Sequence, residues 1–417
     1  MKKIIILGGG IAGLSAAERL AGNFEVVVLE KEEDLGGLAG SFDINGRRIP
    51  KYYHHIFSHD NITKQYLKKA GLLDNIKWKH ISMVICKDGK FYQFTNPLKL
   101  LQFNLLSVYG RIRYALFGLY VFVAMDPSKL PPGMGAREWL IKYAGKEVTE
   151  KIFNELYAIN KFNTPLESIS AKKLAHRLKE KEAMGVFGYP PEGLDRMIDY
   201  MRKEIERKGG NIIAGIDIKK IDLEKGIVTT SKGNIEGDVI INTMPPPVFL
   251  SLSEGVPADY RQQLSRIKYC PVVGMVIGTE KLLGKFYWYN LFRERVHIIM
   301  QHSWLYDGYG EKVSWVSRYG GSEEDMALTD KDIETAYGDV LRKYFAGTRI
   351  VWSRVFRNRY ASPIYDTEYD RNKPDYKTPL RNLYMAGIAV TYPEIRNMNT
   401  AFKSGIKVAE IIAEEQA

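Results

Sequence analysis

Cysteine is scarce in this chain. The 417 residues include only two cysteines, Cys86 and Cys270, so a scaffold held together by several disulfides is excluded. The sequence also lacks the cysteine pairs on which structural zinc sites are built. No secretory signal peptide is visible, and we expect a cytoplasmic protein.

Long apolar runs are absent, and acidic residues are missing from one segment. No run reaches the roughly 18 apolar residues of a transmembrane helix, and neither a low-complexity tract nor an internal repeat occurs. Residues 97–125 are apolar and aromatic, carry Lys99, Arg111 and Arg113, and contain no acid. This segment is too broken to span a bilayer. It predicts a helical lid over a substrate cavity, or a lid that also makes peripheral contact with a membrane surface.

The excess of positive charge does not indicate a nucleic-acid partner. The formal net charge is +11, but the 60 Lys and Arg residues are dispersed and no recognition motif is present, so we predict no nucleic-acid binding. With 45% hydrophobic residues the chain can bury a large core, and its length predicts two domains.

The start of the chain contains a glycine motif inside a strand-helix-strand pattern over residues 4–29. Gly8, Gly10 and Gly13 occupy the glycine positions of a G-x-G-x-x-G motif. Gly8 makes the tight turn, Gly10 lets a pyrophosphate approach the backbone, and Gly13 lets the helix pack on the strand. Glu30 follows the second strand, where a carboxylate can accept hydrogen bonds from a ribose. The pattern predicts a dinucleotide-binding unit.

A second glycine pair favours FAD over NAD. Gly36 and Gly37 follow Glu30 in the stretch DLGGLAGSF. Here the sequence resembles the flavin amine oxidase superfamily, which includes protoporphyrinogen oxidases, phytoene desaturases and UDP-galactopyranose mutases. The resemblance implies a bound FAD, with the backbone of this pair against it. Many members have an arginine directly after the pair, where this chain has Leu38.

The far end of the chain extends the resemblance. NLYMAGIAVTYPEIRNMNTAFKSGIKVAEII predicts a short strand over residues 383–386 and an amphipathic helix over residues 400–412. In the superfamily this unit closes the FAD domain, and the helix dipole stabilises negative charge on the flavin. Ile388 follows Gly387 where the family usually has an aspartate. The stretch YPEIRNMN resembles a subgroup of protoporphyrinogen-oxidase-like proteins.

The middle of the chain resembles the family's second FAD-domain segment. GYPPEGLDRMIDYMRKEIERKGGNIIAGIDIKKI predicts a helix over residues 194–208 and a strand at Ile218, whose backbone clamps the adenine in the family. The prolines of NTMPPPVFLSL then predict the exit from this domain. The resemblance implies the following cofactor-binding residues: Gly8, Gly10, Ile11, Ala12, Gly13, Glu30, Lys31, Gly36, Gly37, Leu38, Ile218, Gly387, Arg396, Asn397, Met398 and Asn399.

The stretch IPKYYHHIFSHD, residues 49–60, is rich in aromatic side chains and histidine. The resemblance puts it near the flavin and the substrate cavity, so Tyr53, His54 and His55 are candidate catalytic residues. No metal site is predicted, because adjacent residues of an extended chain point to opposite faces and no second histidine cluster supports them. A neutral imidazole can take a proton near pH 7. The alternative is one histidine hydrogen-bonded in the core and the other at the surface.

Further candidates lie in the predicted substrate domain. Residues 285–292 and 298–306 predict alternating strands of a sheet. Tyr289 and His302 within them are candidate catalytic residues, and ordinary strand packing is the alternative. Lys161 is a cation that could meet an anionic substrate group or the flavin, with solvation at the surface as the alternative.

These observations predict an α/β fold with a Rossmann-type (GR2-like) FAD-binding domain and an interleaved α+β substrate domain. The FAD-binding domain is predicted over residues 1–70, 190–250 and 375–417, and the substrate domain with its helical lid over residues 71–189 and 251–374. The predicted function is FAD-dependent oxidation or desaturation of a small hydrophobic, isoprenoid or lipid-linked substrate. Two alternatives are a non-redox flavin-dependent mutase acting on a nucleotide sugar and an inactive flavoprotein scaffold in a biosynthetic complex.

Overall fold

The computed structural model describes residues 1–94, 97–180 and 185–416. It divides into two compact units, each assembled from separate stretches of the chain. The first unit comprises Met1–Ile76, Pro190–Lys268 and Arg371–Ala417, and the second comprises Lys77–Tyr189 and Tyr269–Asp370.

Strands occur along the whole described chain and range from two to 14 residues in length. In chain order they are β1 (Lys3–Leu7), β2 (Glu25–Leu29), β3 (Ser41–Ile44), β4 (Arg47–Pro50), β5 (Ile56–Phe57), β6 (Lys79–His80), β7 (Met83–Lys87), β8 (Lys90–Gln93), β9 (Val186–Gly188), β10 (Asn211–Ile213), β11 (Ile218–Asp222), β12 (Ile227–Thr230), β13 (Gly233–Glu236), β14 (Val239–Asn242), β15 (Ser253–Glu254), β16 (Tyr269–Thr279), β17 (Trp288–Leu291), β18 (Ile298–Met300), β19 (Lys312–Tyr319), β20 (Ile350–Pro363) and β21 (Leu383–Met385).

Helices are of three kinds. The α-helices are α1 (Ile11–Leu20), α2 (Asn61–Lys69), α3 (Pro97–Leu101), α4 (Val108–Leu119), α5 (Ala136–Ala144), α6 (Lys146–Val148), α7 (Ala171–Lys179), α8 (Asp195–Arg207), α9 (Pro246–Leu252), α10 (Ala258–Ser265), α11 (Glu323–Ala327), α12 (Asp330–Tyr344), α13 (Tyr369–Asn372) and α14 (Met398–Gln416). Two π-helices cover Tyr120–Ala124 and Thr149–Phe162. Short 3₁₀ helices cover Gly37–Ala39, Leu73–Asn75, Pro127–Lys129 and His302–Trp304.

A five-stranded parallel sheet lies at the centre of the first unit, in the order β10-β2-β1-β14-β21. The apolar runs of β1, β2 and β14 explain this, because a parallel strand covered on both faces buries nearly all its side chains. Helices α1 and α14 pack closely at Gly405, where a side chain would collide with the Ala12 carbonyl and the Ser15 hydroxyl. The predicted α/β class is confirmed.

The first unit continues past the predicted end of its middle segment. The sequence predicts an exit near residue 250, whereas the unit runs through Lys268. The prolines of residues 245–247 stand at the start of α9. The chain stays in the first unit after α9, because β15 follows it directly and pairs in parallel with β11. This pairing belongs to a second sheet of the first unit, in the order β13-β12-β11-β15.

The second unit is built on a seven-stranded sheet in the order β20-β16-β19-β18-β17-β7-β8. The described strand pairs are antiparallel except β17 and β7, which are parallel. On one face, α12 covers a row of side chains that lie directly opposite one another across the central strands: Met275, Val316, Ile299, Tyr289 and Val84. The π-helix over Thr149–Phe162 contacts β17 and β19.

Part of the predicted strand pattern of this sheet is wrong. Residues 301–306 do not continue β18 but turn into the 3₁₀ helix at His302–Trp304. The physical reason is Gln301, which is fully buried and turns its amide toward the chain before β17. The amide accepts from the Leu283 N–H at 2.7 Å and donates to the Gly284 carbonyl at 2.8 Å. These side-chain bonds fix Gln301 at the position where β18 ends.

Residues 97–125 are largely helical, in α3, α4 and the π-helix Tyr120–Ala124. Their roles as a lid or a membrane contact stay predictions. In the described ranges, every helix is either too short or too polar to cross a bilayer.

Candidate active site

The glycine turn between β1 and α1 is closely packed. Gly8 has a φ of +109°, which glycine adopts without strain, and a Cβ there would lie 2.5 Å from Thr243 Oγ1. A Cβ on Gly13 would collide with the carbonyl oxygen of Gly8, so glycine is what lets α1 come this close. Gly10 stands directly before α1, whose first N–H groups lack partners within the helix. This helix end suits an anion.

The second glycine pair, Gly36 and Gly37, lies against the glycine turn at Gly9 and Gly10. The Gly36 N–H donates to the Gly9 carbonyl at 2.8 Å, and Gly36 forms a parallel bridge with Gly10. Among the described residues, the atom nearest to a Cβ built on Gly10 is the Cα of Gly37, at 4.0 Å. A Cβ at Gly10 would therefore meet no steric conflict, and this side of the backbone is open. The glycine turn at Gly8–Gly10 and the pair Gly36 and Gly37 together form one backbone surface, which we call the glycine cradle.

Glu30 lies at the other end of this cradle. Its Oε2 accepts from the Gly9 N–H at 2.7 Å, and its Oε1 accepts from the Glu32 N–H at 2.9 Å. A carboxylate has about four acceptor positions, so Glu30 keeps lone pairs for ribose hydroxyls. Backbone hydrogen bonds join residues 213–216 to Glu30 and Glu32, which brings the chain leading to Ile218 to the same sheet edge.

Arg48 holds the second glycine loop from outside. Its Nη2 donates to Asp34 at 3.0 Å and to Asp195 at 3.2 Å, and the Ser41 hydroxyl donates to the Asp195 carboxylate. Burial alone would lower the pKa of Arg48, but the two carboxylates outweigh it and raise the pKa. The charged network joins the loop, β4 and the first residue of α8.

The tyrosine-histidine stretch runs extended, and its rings alternate. Along one side, ring centroids are 5.8 Å apart for Tyr53 and His55, and 5.5 Å for His55 and Phe57. His54 points to the other side, where its Nε2 lies 2.6 Å from the carbonyl oxygen of Leu38. The two histidines therefore face opposite sides of the chain. His54 contacts the residue that follows the second glycine pair.

The surroundings of His54 hold its ring neutral. A carbonyl oxygen can only accept, so Nε2 carries the proton and Nδ1 of the neutral ring keeps its lone pair. Burial lowers the pKa of His54 from its ordinary 6.5, the hydrogen bond to Leu38 acts in the opposite direction, and the charge of Arg396 lowers it further. His54 is thus neutral near pH 7, with Nδ1 unprotonated.

The asparagines around the start of α14 serve as helix caps. Oδ1 of Asn397 accepts from the Thr400 N–H at 2.9 Å, and its Nδ2 donates to Asp60 at 3.1 Å. Oδ1 of Asn399 accepts from two N–H groups in the first turn of α2, at 2.9 and 3.1 Å. These side chains tie α2 to α14. That the N-terminus of α14, at Met398, faces the flavin stays a prediction.

The order of motifs along this chain matches a known family. Residues 11–413 match the model of a family described as flavin containing amine oxidoreductase. The chain belongs to this family. As a flavin-containing amine oxidoreductase it is a FAD-dependent oxidoreductase, and the resemblance drawn from its glycine motifs is confirmed.

Individual relatives of this oxidoreductase cover its whole length. The 15-cis-phytoene desaturase of Solanum lycopersicum is 24% identical over 99% of this chain and 78% of its own. The 15-cis-phytoene desaturase of Synechococcus elongatus is 23% identical over 99% of this chain and 96% of its own. The structure of reduced UDP-galactopyranose mutase matches with a TM-score of 0.80 at 16% identity, covering 100% of this chain and 94% of that one. At this identity the likeness shows the fold alone.

The first unit of the oxidoreductase fits the cofactor of its family. The open space beside Gly10, the α1 N-terminus and the remaining lone pairs of Glu30 suit a dinucleotide. Gly387 has a φ of +96°, and its N–H donates to the Ser404 hydroxyl at 2.9 Å. Lys31 is exposed to solvent. The roles of the individual predicted residues stay predictions.

The second unit contains the other predicted side chains. Tyr289 lies in the core under α12, where its hydroxyl accepts from the Phe286 N–H at 3.1 Å. His302 is buried, with Nε2 3.0 Å from the Tyr309 hydroxyl. Packing accounts for both, and their catalytic roles stay predictions. Lys161 is 7% exposed, so solvation at the surface does not explain it. The described residues hold no group of three or more His, Cys, Asp or Glu arranged for a metal.

Sequence reasoning missed three residues that shape the cofactor site. Gly405 had a readable signal, because an isolated glycine inside a helical pattern indicates close packing. No local pattern indicated a role for Thr243 or Arg48. The Thr243 hydroxyl donates to the Leu7 carbonyl at 2.8 Å, and Arg48 binds Asp195. These partners lie far away in the sequence and belong to no motif that involves Thr243 or Arg48.

Proposed function

We propose that this protein desaturates a hydrophobic isoprenoid or lipid-linked substrate, with FAD held in the first unit. The observation that carries the proposal is the glycine cradle with a neutral His54 bound to the loop that follows it. The relatives that match 99% of the chain are named as phytoene desaturases, which supports this class of substrate.

In this proposal the residues of the cradle bind and orient the cofactor. Gly10 admits the pyrophosphate, the α1 N-terminus stabilises its charge, and Glu30 accepts hydrogen bonds from the ribose. The Arg48 network keeps the second glycine loop in place. When bound, FAD supplies the two-electron oxidant that accepts a hydride.

His54 takes the proton that accompanies this oxidation. One substrate carbon loses a hydride, the neighbouring carbon loses a proton to Nδ1 of His54, and a carbon–carbon double bond forms between them. The hydrogen bond from Nε2 to Leu38 keeps the ring oriented with Nδ1 unprotonated. The rings of Tyr53, His55 and Phe57 suit a wall that excludes water.

Anaerobic mixing of the holoprotein with candidate isoprenoids tests the proposal. The visible absorbance of the flavin should be bleached by one of them, and mass spectrometry should find a product lighter by two hydrogens. A nucleotide sugar that is isomerised without change of mass, and only when the flavin is reduced, would favour a mutase instead. A flavin that no member of either class affects would favour a scaffold.

We further propose that the second unit docks on an anionic membrane surface through its helical segment. Eight large apolar side chains of this segment are at least 55% exposed, and we name them the apolar face: Leu98, Leu101, Val108, Tyr109, Ile112, Leu116, Leu119 and Val123. Exposure on this scale is unusual for a monomer in water. Residues 97–125 carry three cations and no acid, which suits an anionic lipid surface.

Vesicle sedimentation tests the membrane docking. Vesicles that contain phosphatidylglycerol should bind the protein more tightly than neutral phosphatidylcholine vesicles. The double variant Ile112→Ser, Leu116→Ser should weaken the binding by about tenfold or more, since each exposed side chain contributes roughly 1 kcal/mol when it enters lipid. Ile350→Ser and Val351→Ser, at exposed positions of β20, serve as matched controls. Equal binding by both pairs of variants would refute the docking surface.

A further inference from the structure

The loop that leads to the second glycine pair has no regular structure over residues 31–35. Residues 31–34 of this loop are exposed to solvent. Exposed segments outside helices and strands open locally at a low cost in free energy. The position of this loop therefore depends on side chains that reach it from other segments.

The second glycine pair is wedged between α8 and the glycine turn. Gly36 has a φ of +105°, and a Cβ there would lie 2.5 Å from Cδ1 of Ile198 in α8. A Cβ on Gly37 would lie 3.3 Å from the Cα of Gly10. A shift of the loop relative to α8 would therefore change the gap between Gly37 and Gly10.

Arg48 fixes the loop relative to α8. Its Nη2 carries two N–H bonds and donates to Asp34 of the loop at 3.0 Å and to Asp195, the first residue of α8, at 3.2 Å. Ser41 in β3 takes part twice, since its carbonyl lies 3.4 Å from Nη2 and its hydroxyl donates to Asp195. The helix dipole favours a carboxylate at this end of α8. One guanidinium group thus joins the loop, the β3–β4 hairpin and α8.

The placement of these ion pairs points to a local role. The side chains of Arg48, Asp34 and Asp195 are 35%, 50% and 27% exposed, and ion pairs this exposed add little to global stability. Asp34 stands two residues before Gly36, so the contact holds the loop at the point where it meets the glycine cradle.

We propose that Arg48 is a positioning residue for the pyrophosphate of FAD. By joining Asp34 to Asp195 it holds Gly36 and Gly37 at a fixed distance from the glycine turn, so that the cradle is in place before the cofactor arrives. Arg48 acts through the backbone of the loop and not through contact with the cofactor. This inference rests on the proposed function, in which the glycine cradle binds the pyrophosphate.

The affinities of the protein for FAD and ADP test the inference, because ADP has the pyrophosphate but no flavin. The fluorescence of FAD released on dilution of the holoprotein gives one dissociation constant, and displacement of FAD by ADP gives the other. R48M should weaken both ligands by about tenfold or more. R48K should restore part of the loss, because both contacts come from one nitrogen. R202M, which removes the Arg202–Asp199 ion pair of 3.1 Å on α8, is the matched control and should bind both ligands as the wild-type protein does.

D34A separates positioning from charge. It removes a negative charge from the loop beside the cradle, so it would tighten the binding of both ligands if charge alone mattered. If the carboxylate holds the loop, D34A should instead weaken both ligands by about threefold or more. A purely structural role for Arg48 would lower the melting temperature of the variants and leave both dissociation constants unchanged.

Three results would each overturn the inference: unchanged dissociation constants in R48M, a loss of affinity for FAD without a loss for ADP, or tighter binding by D34A. If R48M does not fold, R48K and D34A decide by the same two constants. A wild-type holoprotein whose FAD is not displaced by saturating ADP would refute the pyrophosphate site of the proposed function, and the inference with it. Displacement in the wild-type protein together with an unaffected R48M would refute the role of Arg48 alone.

Discussion

The two units of this oxidoreductase build their candidate sites from different material. In the first unit the cradle is backbone, made by glycines whose φ angles or close approaches exclude a side chain, as at Gly8 and Gly13. In the second unit, strand register and helix packing bring together buried side chains, among them Trp288, Met300, Trp315 and Lys161. A backbone site leaves a spaced motif in the sequence, whereas a side-chain site leaves scattered residues.

His54 is an exception to this contrast, because it is a candidate catalytic side chain in the unit whose cofactor site is built from backbone. His54→Ala should leave FAD bound, because the ring contacts Leu38 and not the cradle glycines, yet slow flavin reduction by about 10²–10⁴-fold if Nδ1 is the general base. Stopped-flow absorbance measures the rate. His55→Ala, on the other side of the same chain, is the matched control and should have the smaller effect. Wild-type rates in both variants would exclude an acid/base role for the pair.

Gly10→Val tests whether the cradle is a backbone site. The space beside Gly10 admits a side chain, so the apoprotein should fold normally, but the valine would occupy the place of the pyrophosphate. FAD affinity should fall by about 100-fold or more, close to 3 kcal/mol, as measured by calorimetric titration of the apoprotein. Gly13→Ala is the contrasting variant, since its Cβ collides with Gly8, and it should lower the melting temperature as well. A yellow Gly10→Val protein would contradict the placement of the pyrophosphate.

The pH dependence of stability tests the burial of His297, a polar side chain in the core of the second unit. Burial, with a further contribution from Arg318, lowers the pKa of His297 from 6.5 to about 4. In the unfolded chain His297 therefore binds a proton near pH 6.5, whereas in the native state it binds one only near pH 4. Stability is complete above pH 6.5 and falls by about 3 kcal/mol as the pH drops through this window.

Denaturant midpoints measured between pH 7.5 and 4.5 check this fall in stability. His297→Gln should flatten the profile in that window, because the glutamine does not titrate. An unchanged slope would mean that His297 is not the group responsible, and that the second unit tolerates a charge at this position.

Glu30→Ala tests a side chain in the cofactor site of the first unit, because the Glu30 carboxylate is predicted to accept hydrogen bonds from the ribose. FAD affinity should fall by about 1.5–3 kcal/mol, the usual worth of a hydrogen bond to a charged group. Equilibrium dialysis measures the loss. Glu30→Gln retains one acceptor oxygen and should lose less. Equal affinities for all three proteins would place the ribose elsewhere.

Sequence patterns predicted the elements of the first unit within a few residues. The predicted helix over residues 194–208 is α8 (Asp195–Arg207), and the predicted strand over residues 383–386 is β21 (Leu383–Met385). Periodicity and apolar runs are local, so they can be read from one segment at a time. The strand predicted over residues 298–306 ends at Met300, because the Gln301 side chain bonds to a backbone segment about 17 residues earlier.

The sequence by itself determined the glycine cradle, the position of the Glu30 carboxylate beside it and the family, because a positive φ, a missing Cβ and a helix dipole each act within one short segment. Only the tertiary structure decided that Arg48 clamps the second glycine loop, that His54 turns toward Leu38 while His55 turns away, and that Lys161 lies over Trp288. Each of these contacts joins separate segments of the chain. Their geometry depends on sheet register and helix packing, which the whole core stabilises and no local pattern encodes.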